Sequence, residues 1–338
     1  MLVAEKHNFS LHNPSWKFTL GPETYETKDT PRRVERIRET LAADDRFLFT
    51  TAKRFPEAIL ARIHPYHDFI KKTSQVSRKT GEEVYPDLFP GEGAHLQRRI
   101  HPLWGGLWCT DAVTPIMGRT YEVAKGSAEA AMTGAKLLLE GSQREVYALC
   151  RPSGHHAGPR VFGGYCYFNN SATAAEMMAQ HGTVAILDID YHHGNGTQEF
   201  FEQRKDVFTC SIHGDPNQEY PYFWGYRSEK GTGQGEGTNL NIPLPLGSGD
   251  ERYLKAVDQA VRAIRRFKPA FFIIGAGFDT HAEDPIGGFE LSTEVYGEVG
   301  RRLAALDCPV LICQEGGYNL EVLGQSVHRF LRGFSGSR

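Results

Sequence analysis

From about residue 120 onward, short apolar runs alternate with amphipathic stretches of helical length, and this alternation restricts the fold more than any other feature. The runs at 146–150, 183–188, 207–212, 270–275 and 309–314 are dense in Val, Ile, Leu and Phe. Between them, 121–140, 170–181, 251–267 and 293–306 have helical periodicity. Strands apolar on both faces, separated by such helices, predict a mostly parallel sheet covered by helices on both sides. Gly182, Lys268-Pro269 and Asp307-Cys308-Pro309 stand where helices should stop. No repeat or linker divides the chain, so residues 1–338 are expected to form one α/β domain.

The first 120 residues read differently. The N-terminus suggests a short strand, and 31–42 a helix with Asp29 or Thr30 as its cap and Pro31 at its first position. Residues 73–119 carry several Gly and Pro and little periodicity, and they read as an irregular insertion. Phe89, Trp104 and Trp108 in it argue for order. Hydrophobic residues make up 40% of the chain and charged residues 23%, as in a soluble protein with a sizeable core. With 38 basic against 41 acidic residues, the chain lacks the basic excess of a nucleic-acid binder. No apolar run reaches the length of a membrane span, and the N-terminus has no signal-peptide pattern. The six cysteines form no C-x-x-C pair, which excludes a cysteine zinc site and fits a reduced, cytoplasmic protein.

Ligands of parallel α/β sheets bind beyond the carboxyl ends of the strands, and there the unusual polar residues fall. After 146–150 comes Arg151-Pro152-Ser153-Gly154-His155-His156; after 183–187, Asp188-Ile189-Asp190-Tyr191-His192-His193-Gly194-Asn195. Phe278-Asp279-Thr280-His281 and Gln314-Glu315-Gly316-Gly317-Tyr318 follow the last two strands. In extended backbone, residues two apart point the same way, so Asp188, Asp190 and His192 share a face. Asp190, His192 and Asp279 then offer three N/O ligands, the pattern of a catalytic zinc site with an open position. A buried acidic pair that merely finishes a strand is the bland alternative, but no Lys or Arg lies nearby in sequence to neutralise it. Two carboxylate ligands acidify a bound water less than histidines do, so a general base is needed, and His155-His156 supplies one. Tyr318 presents a phenol suited to an oxyanion.

These strings resemble the arginase–deacetylase superfamily, and within it the histone deacetylase family, nearest to its bacterial acetylpolyamine amidohydrolases. The resemblance is carried by 151–158 (RPSGHHAG), 163–170 (GGYCYFNN), 188–198 (DIDYHHGNGTQ), 211–216 (SIHGDP), 277–281 (GFDTH) with Asp284-Pro285, and 315–318 (EGGY), in order over 121–335. It implies an arginase/deacetylase-type α/β domain holding one Zn2+ at Asp190, His192 and Asp279. It makes His156 the base and later the acid to the leaving amine, gives His155 an electrostatic part, and has Tyr318 hydrogen-bond the scissile carbonyl. Asp188 and Asn195 would orient the two imidazoles. A structural K+ would sit at Asp188, Asp190, His192, Ser211 and Ile212. Gly164, Tyr165 and Tyr220 would wall a tunnel for a small acetylated amine. By the same analogy the insertion at 73–119 lies near the tunnel mouth and packs across a homodimer.

The chain departs from that pattern in one place. Polyamine deacetylases carry acidic residues in the insertion, whereas 100–116 here contains only Asp111, with His101, Trp104, Trp108 and Val113 nearby. Glu82, Glu83, Asp87 and Glu92 lie earlier. Acetyl-lysine or another small acyl amide is therefore a rival substrate. A non-catalytic acetyl-amine binder and a two-manganese ureohydrolase are the other rivals; Tyr191 stands where the latter would want a further ligand.

Overall fold

The computed structural model describes residues 1–20, 23–86, 89 and 102–337, without the side chains of 18–20, 23–24 and 102–104. His101, Asp87 and Glu92, and the Trp104 side chain, lie outside the described parts.

In chain order the strands are β1 (Leu2–Glu5), β2 (Lys17–Leu20), β3 (Glu23–Glu26), β4 (Leu48–Thr51), β5 (Glu145–Ala148), β6 (Val184–Asp188), β7 (Val207–Gly214), β8 (Asn239–Leu244), β9 (Phe271–Ala276) and β10 (Val310–Gln314). The helices are α1 (Arg32–Ala42), α2 (Glu57–Ile63), α3 (His67–Thr80), α4 (Thr120–Leu139), α5 (Asn170–Met178), α6 (Asn195–Phe201), α7 (Asp250–Phe267), α8 (Val295–Ala304) and α9 (Leu323–Ser335). Eight strands form one sheet in the order β4-β1-β5-β10-β9-β6-β7-β8, every pair parallel. β2 and β3 make a separate antiparallel hairpin.

The five apolar runs are β5, β6, β7, β9 and β10, and each central strand shows why it reads as continuously apolar. Tyr147, Leu187, Ile274 and Ile312 pack on one face with residues of α1, α7, α8 and α9. Their neighbours Val146, Ile186, Ile273 and Leu311 pack on the other with residues of α4 and α5 and with Phe201 of α6. A third cluster joins α2, α3 and the outer side of α4 to the segment around Phe162 and Phe168.

The strand order decides where a site can form. After β5 the chain moves across the sheet to β6, runs outward to β8, and returns to insert β9 and β10 in the gap. The carboxyl ends of β5, β10, β9 and β6 thus become neighbours, although up to about half the chain separates them in sequence.

Three expectations change. The stretch 73–119 begins inside α3, which runs to Thr80; beyond Ile70 its buried residues are Thr73, Ser74 and Ser77, so the apolar signal stops before the helix does. The irregular part therefore starts at Gly81, whose left-handed backbone (φ 78°) ends the helix. Neither Asp29 nor Thr30 caps α1 through its side chain, because the helix begins after Pro31 and Asp29 instead pairs with Arg33 and Arg151. β8, an edge strand whose Pro243 weakens its signal, was not among the expected strands, and α9 was not among the expected helices.

Leu311 is fully buried on β10 beneath α4, where a Cβ added to Gly134 would lie 2.4 Å from its Cδ1. Leu311→Ala should lower unfolding free energy by about 2–5 kcal/mol, read from the urea midpoint at unchanged slope.

Candidate metal-dependent active site

Beyond β6 the backbone curls so that each side chain braces the next. Asp190 N–H donates to Asp188 Oδ1 (3.0 Å), and His192 N–H to Asp190 Oδ1 (2.9 Å). From β9, Asp279 accepts the Tyr191 N–H at Oδ1 (2.9 Å) and faces His192 Nδ1 with Oδ2 (3.1 Å). Asp190 Oδ1 lies 3.3 Å from the same nitrogen. From β10, Gly316 N–H donates to Asp190 Oδ2 (2.7 Å). Only glycine fits there, since a Cβ would come within 2.3 Å of Asp279 Oδ2.

Asp190, His192 and Asp279 thus bring one ligand atom each within 4.8 Å of one another, and among the described residues they are the only such group. Both carboxylates are fully buried. Burial, then the nearby Asp190 charge, pushes the Asp279 carboxyl up to about 7. Burial works against the His192 cation, but hydrogen bonds to Asp190 and Asp279 push its pKa up to about 10. In the metal-free protein a proton on His192 is the counter-charge that the two carboxylates demand. A divalent cation fits the same donors and supplies that charge in full.

Asp188 does not join this group. Its Oδ2 accepts from His155 Nδ1 (2.8 Å), while His156 Nδ1 donates to Asn195 Oδ1 (2.8 Å), which leaves His156 Nε2 without a hydrogen-bond partner among the described residues. The two imidazoles lie 3.9 Å apart and titrate in opposite directions. Burial disfavours the His155 cation, yet Asp190 and Asp188 hold its pKa well above the ordinary value. For His156, burial and then the His155 and His192 charges push the pKa well below it, so its ring is neutral. Glu315 stabilises the turn that carries both, accepting from Gly154 N–H (2.7 Å) and His155 N–H (3.3 Å); burial raises its pKa to about 7.

Tyr318 is held from three sides. Its N–H donates to Asp284 Oδ2 (2.7 Å), its ring meets Tyr165 edge-on at 5.8 Å, and the Arg33 guanidinium lies 4.4 Å from its ring centre. Arg33 also donates to the carbonyls of Gly317 and Glu315 (both 2.6 Å) and pairs with Asp29. Burial keeps the phenol well above its usual pKa, and hence protonated.

Gly164, Tyr165 and Tyr220 line, with Val113, His156, Ile286 and Tyr318, a cavity of about 180 Å3 that reaches His192. Asp188 and Ser211 are register partners across β6 and β7, with Ile212 next along the strand. The Ser211 hydroxyl is hydrogen-bonded to His213 Nδ1 (2.8 Å). The sequence reading missed Arg33, Glu315 and Asp284 as parts of the site. Arg33 had a visible signal: it shares the buried stripe of α1 with Ile37 and Leu41, where a charge needs a reason.

A parallel sheet with these residues at its central strand ends defines a class. The chain belongs to the histone deacetylase family, whose domain matches residues 27–334, and it is a hydrolytic deacetylase. It is 39% identical over 320 residues to acetylpolyamine amidohydrolase 1 of Pseudomonas aeruginosa, covering 91% of this chain and 92% of that one. It is 36% identical over 337 residues to the acetylpolyamine amidohydrolase of Burkholderia pseudomallei, covering 97% of both. The crystal structure of the acetylpolyamine aminohydrolase from B. pseudomallei superposes with a TM-score of 0.93 at 35% identity, over 100% of this chain and 99% of that one.

A metal must displace the His192 proton, so lowering the pH should weaken it. Between the Asp279 value of about 7 and the His192 value of about 10, zinc affinity should rise about tenfold per pH unit. Chelator competition across that range checks it; a flat profile would mean that no proton leaves His192 on metal binding there.

Proposed function

We propose that the chain is a zinc-dependent amidohydrolase that deacetylates small acetylated amines, N-acetylpolyamines first among them. The observation that carries this is the placement of a neutral His156 beside the Asp190–His192–Asp279 donors at the base of a narrow cavity walled by tyrosines. The names of the relatives support the substrate.

Zinc held by Asp190, His192 and Asp279 would polarise the acetamide carbonyl and make a water more acidic. His156, with Nδ1 tied to Asn195, takes the proton from the attacking water at Nε2. His155, cationic against Asp188, keeps His156 neutral beforehand and then favours passing that proton on to the leaving nitrogen. The Tyr318 phenol donates to the carbonyl oxygen as negative charge develops there. Tyr165 and Tyr220 hold the alkyl chain and keep bulk water from the reacting carbon.

The resemblance further assigns a structural potassium ion to the backbone and side chains around Asp188, Asp190, His192, Ser211 and Ile212, and a homodimeric, cytoplasmic protein. The pairing of Asp188 with Ser211 across adjacent strands supports the ion's place.

A different small amide is kept as a second reading by one observation. Among the described residues lining the cavity, no carboxylate stands ready for a distal ammonium group. Both oxygens of Asp111 accept backbone N–H groups, from Gly164 and Val113.

In a zinc-loaded assay N-acetylputrescine or N-acetylcadaverine should turn over faster than an acetyl-lysine peptide; the reverse ranking sinks the polyamine assignment. His156→Ala should keep its zinc and lose about 10²–10⁴-fold in kcat. Tyr318→Phe should lose about 10²-fold. Unchanged turnover in His156→Ala would remove it as the base.

A further inference from the structure

Both aromatic walls of the cavity are tied to one short segment, residues 110–114, where the insertion returns to the domain. The Thr110 side chain adjoins the Tyr220 hydroxyl. Thr110 N–H donates to Phe162 O (2.9 Å), which fixes the segment beside the opposite wall. Asp111 Oδ2 accepts the Gly164 N–H (2.6 Å) and its Oδ1 the Val113 N–H (2.9 Å). Thr114 Oγ1 accepts the Tyr165 N–H (3.0 Å), and Val113 itself lines the cavity.

The wall held in this way has an unusual backbone. Gly164 is left-handed (φ 56°), and a Cβ there would lie 2.3 Å from His156 Cδ2, so backbone alone passes the imidazole. Tyr165 is also left-handed (φ 65°), a conformation that costs a non-glycine residue roughly 1–2 kcal/mol. Such strain persists only where neighbours impose it. Here the neighbours are Asp111 and Thr114, which accept the two consecutive N–H groups of the strained pair. In this conformation the Tyr165 ring lines the cavity, edge-on to Tyr318 and stacked with Trp16.

We infer that the segment 110–114, acting chiefly through Asp111, sets the bore of the tunnel and makes the enzyme select unbranched N-alkyl acetamides. Asp111 is a positioning residue: it touches neither substrate nor metal, and it acts through Gly164 and Tyr165. This deepens the amidohydrolase reading and rests on it for the acetamide class.

The test compares N-pentylacetamide with its isomer branched at the carbon next to nitrogen. One misplaced methyl group is worth about 10–200-fold in a fitted pocket, and wild type should prefer the straight chain by such a factor. In Asp111→Ala that preference should fall by about tenfold, through KM more than kcat. Asp111→Asn, which keeps one acceptor, should fall between. Thr114→Val, which removes the acceptor for Tyr165, should move the ratio the same way and serves if the Asp111 variants fold poorly. Equal losses on both amides, with a lowered Tm, would mark Asp111 as structural only and overturn the inference, as would an unchanged ratio. Calorimetric binding of the same two amides to the metal-free proteins reads the preference without turnover. A wild-type protein that bound both and hydrolysed neither would thus defeat the proposed activity while still deciding the role of Asp111.

Discussion

Two fully buried carboxylates, Asp190 and Asp279, converge on a single imidazole nitrogen, and much of the structure serves to keep them there. Burying a carboxylate without a partner costs several kcal/mol even after relaxation, and two facing each other cost more. The fold meets that demand in part. Backbone N–H groups of Tyr191, His192 and Gly316 point at the pair, and His192 and His155 bring positive charge. What these leave uncompensated is negative charge, and a divalent cation among Asp190, His192 and Asp279 would supply the missing counter-charge.

The same electrostatics reaches the neighbouring histidines. His155 lies against Asp188 and near Asp190, so it carries charge; His156, 3.9 Å away and bonded to a neutral Asn195, is forced to stay uncharged. Two adjacent, chemically identical side chains thus receive opposite protonation states, because carboxylates face His155 whereas burial and the His155 and His192 charges bear on His156. Acid–base work requires such a division. A shell of buried ionic groups behind the site holds the loops that make it possible. Arg33 and Arg151 share Asp29, Arg33 reaches the carbonyls of Glu315 and Gly317, and Glu315 and Asp284 tie the His155 and Tyr318 loops. The N-terminal region, which lacks any catalytic motif, is thereby a structural part of the active site.

Much of this was legible in residues 120–335. The central strands and most helices follow from hydrophobic runs and their stops, and the polar strings at the strand ends named Asp190, His192, Asp279, His155, His156 and Tyr318. The last turns of α3 were hidden because their buried residues are Thr and Ser, and β8 because an edge strand with a proline alternates weakly. The buried position of Arg33 was legible on α1, but its link to the site was not, because the Gly317 and Glu315 carbonyls it reaches lie more than 280 residues away. In the sequence Asp111 is only the single acid of residues 100–116, where a polyamine reader would carry several. The structure instead turns both its oxygens to backbone amides, a use that no local pattern announces.

The sequence by itself determined a parallel α/β sheet and the inventory of chemical groups beyond its strands, because hydrophobic period and side-chain chemistry are local properties. Only the tertiary structure decided which groups share an environment. The insertion of β9 and β10 between β5 and β6 is a long-range event, and it alone brings Asp279 and Gly316 against Asp190 and His192. Protonation follows from that packing, since desolvation and the distance to neighbouring charges are properties of the folded chain.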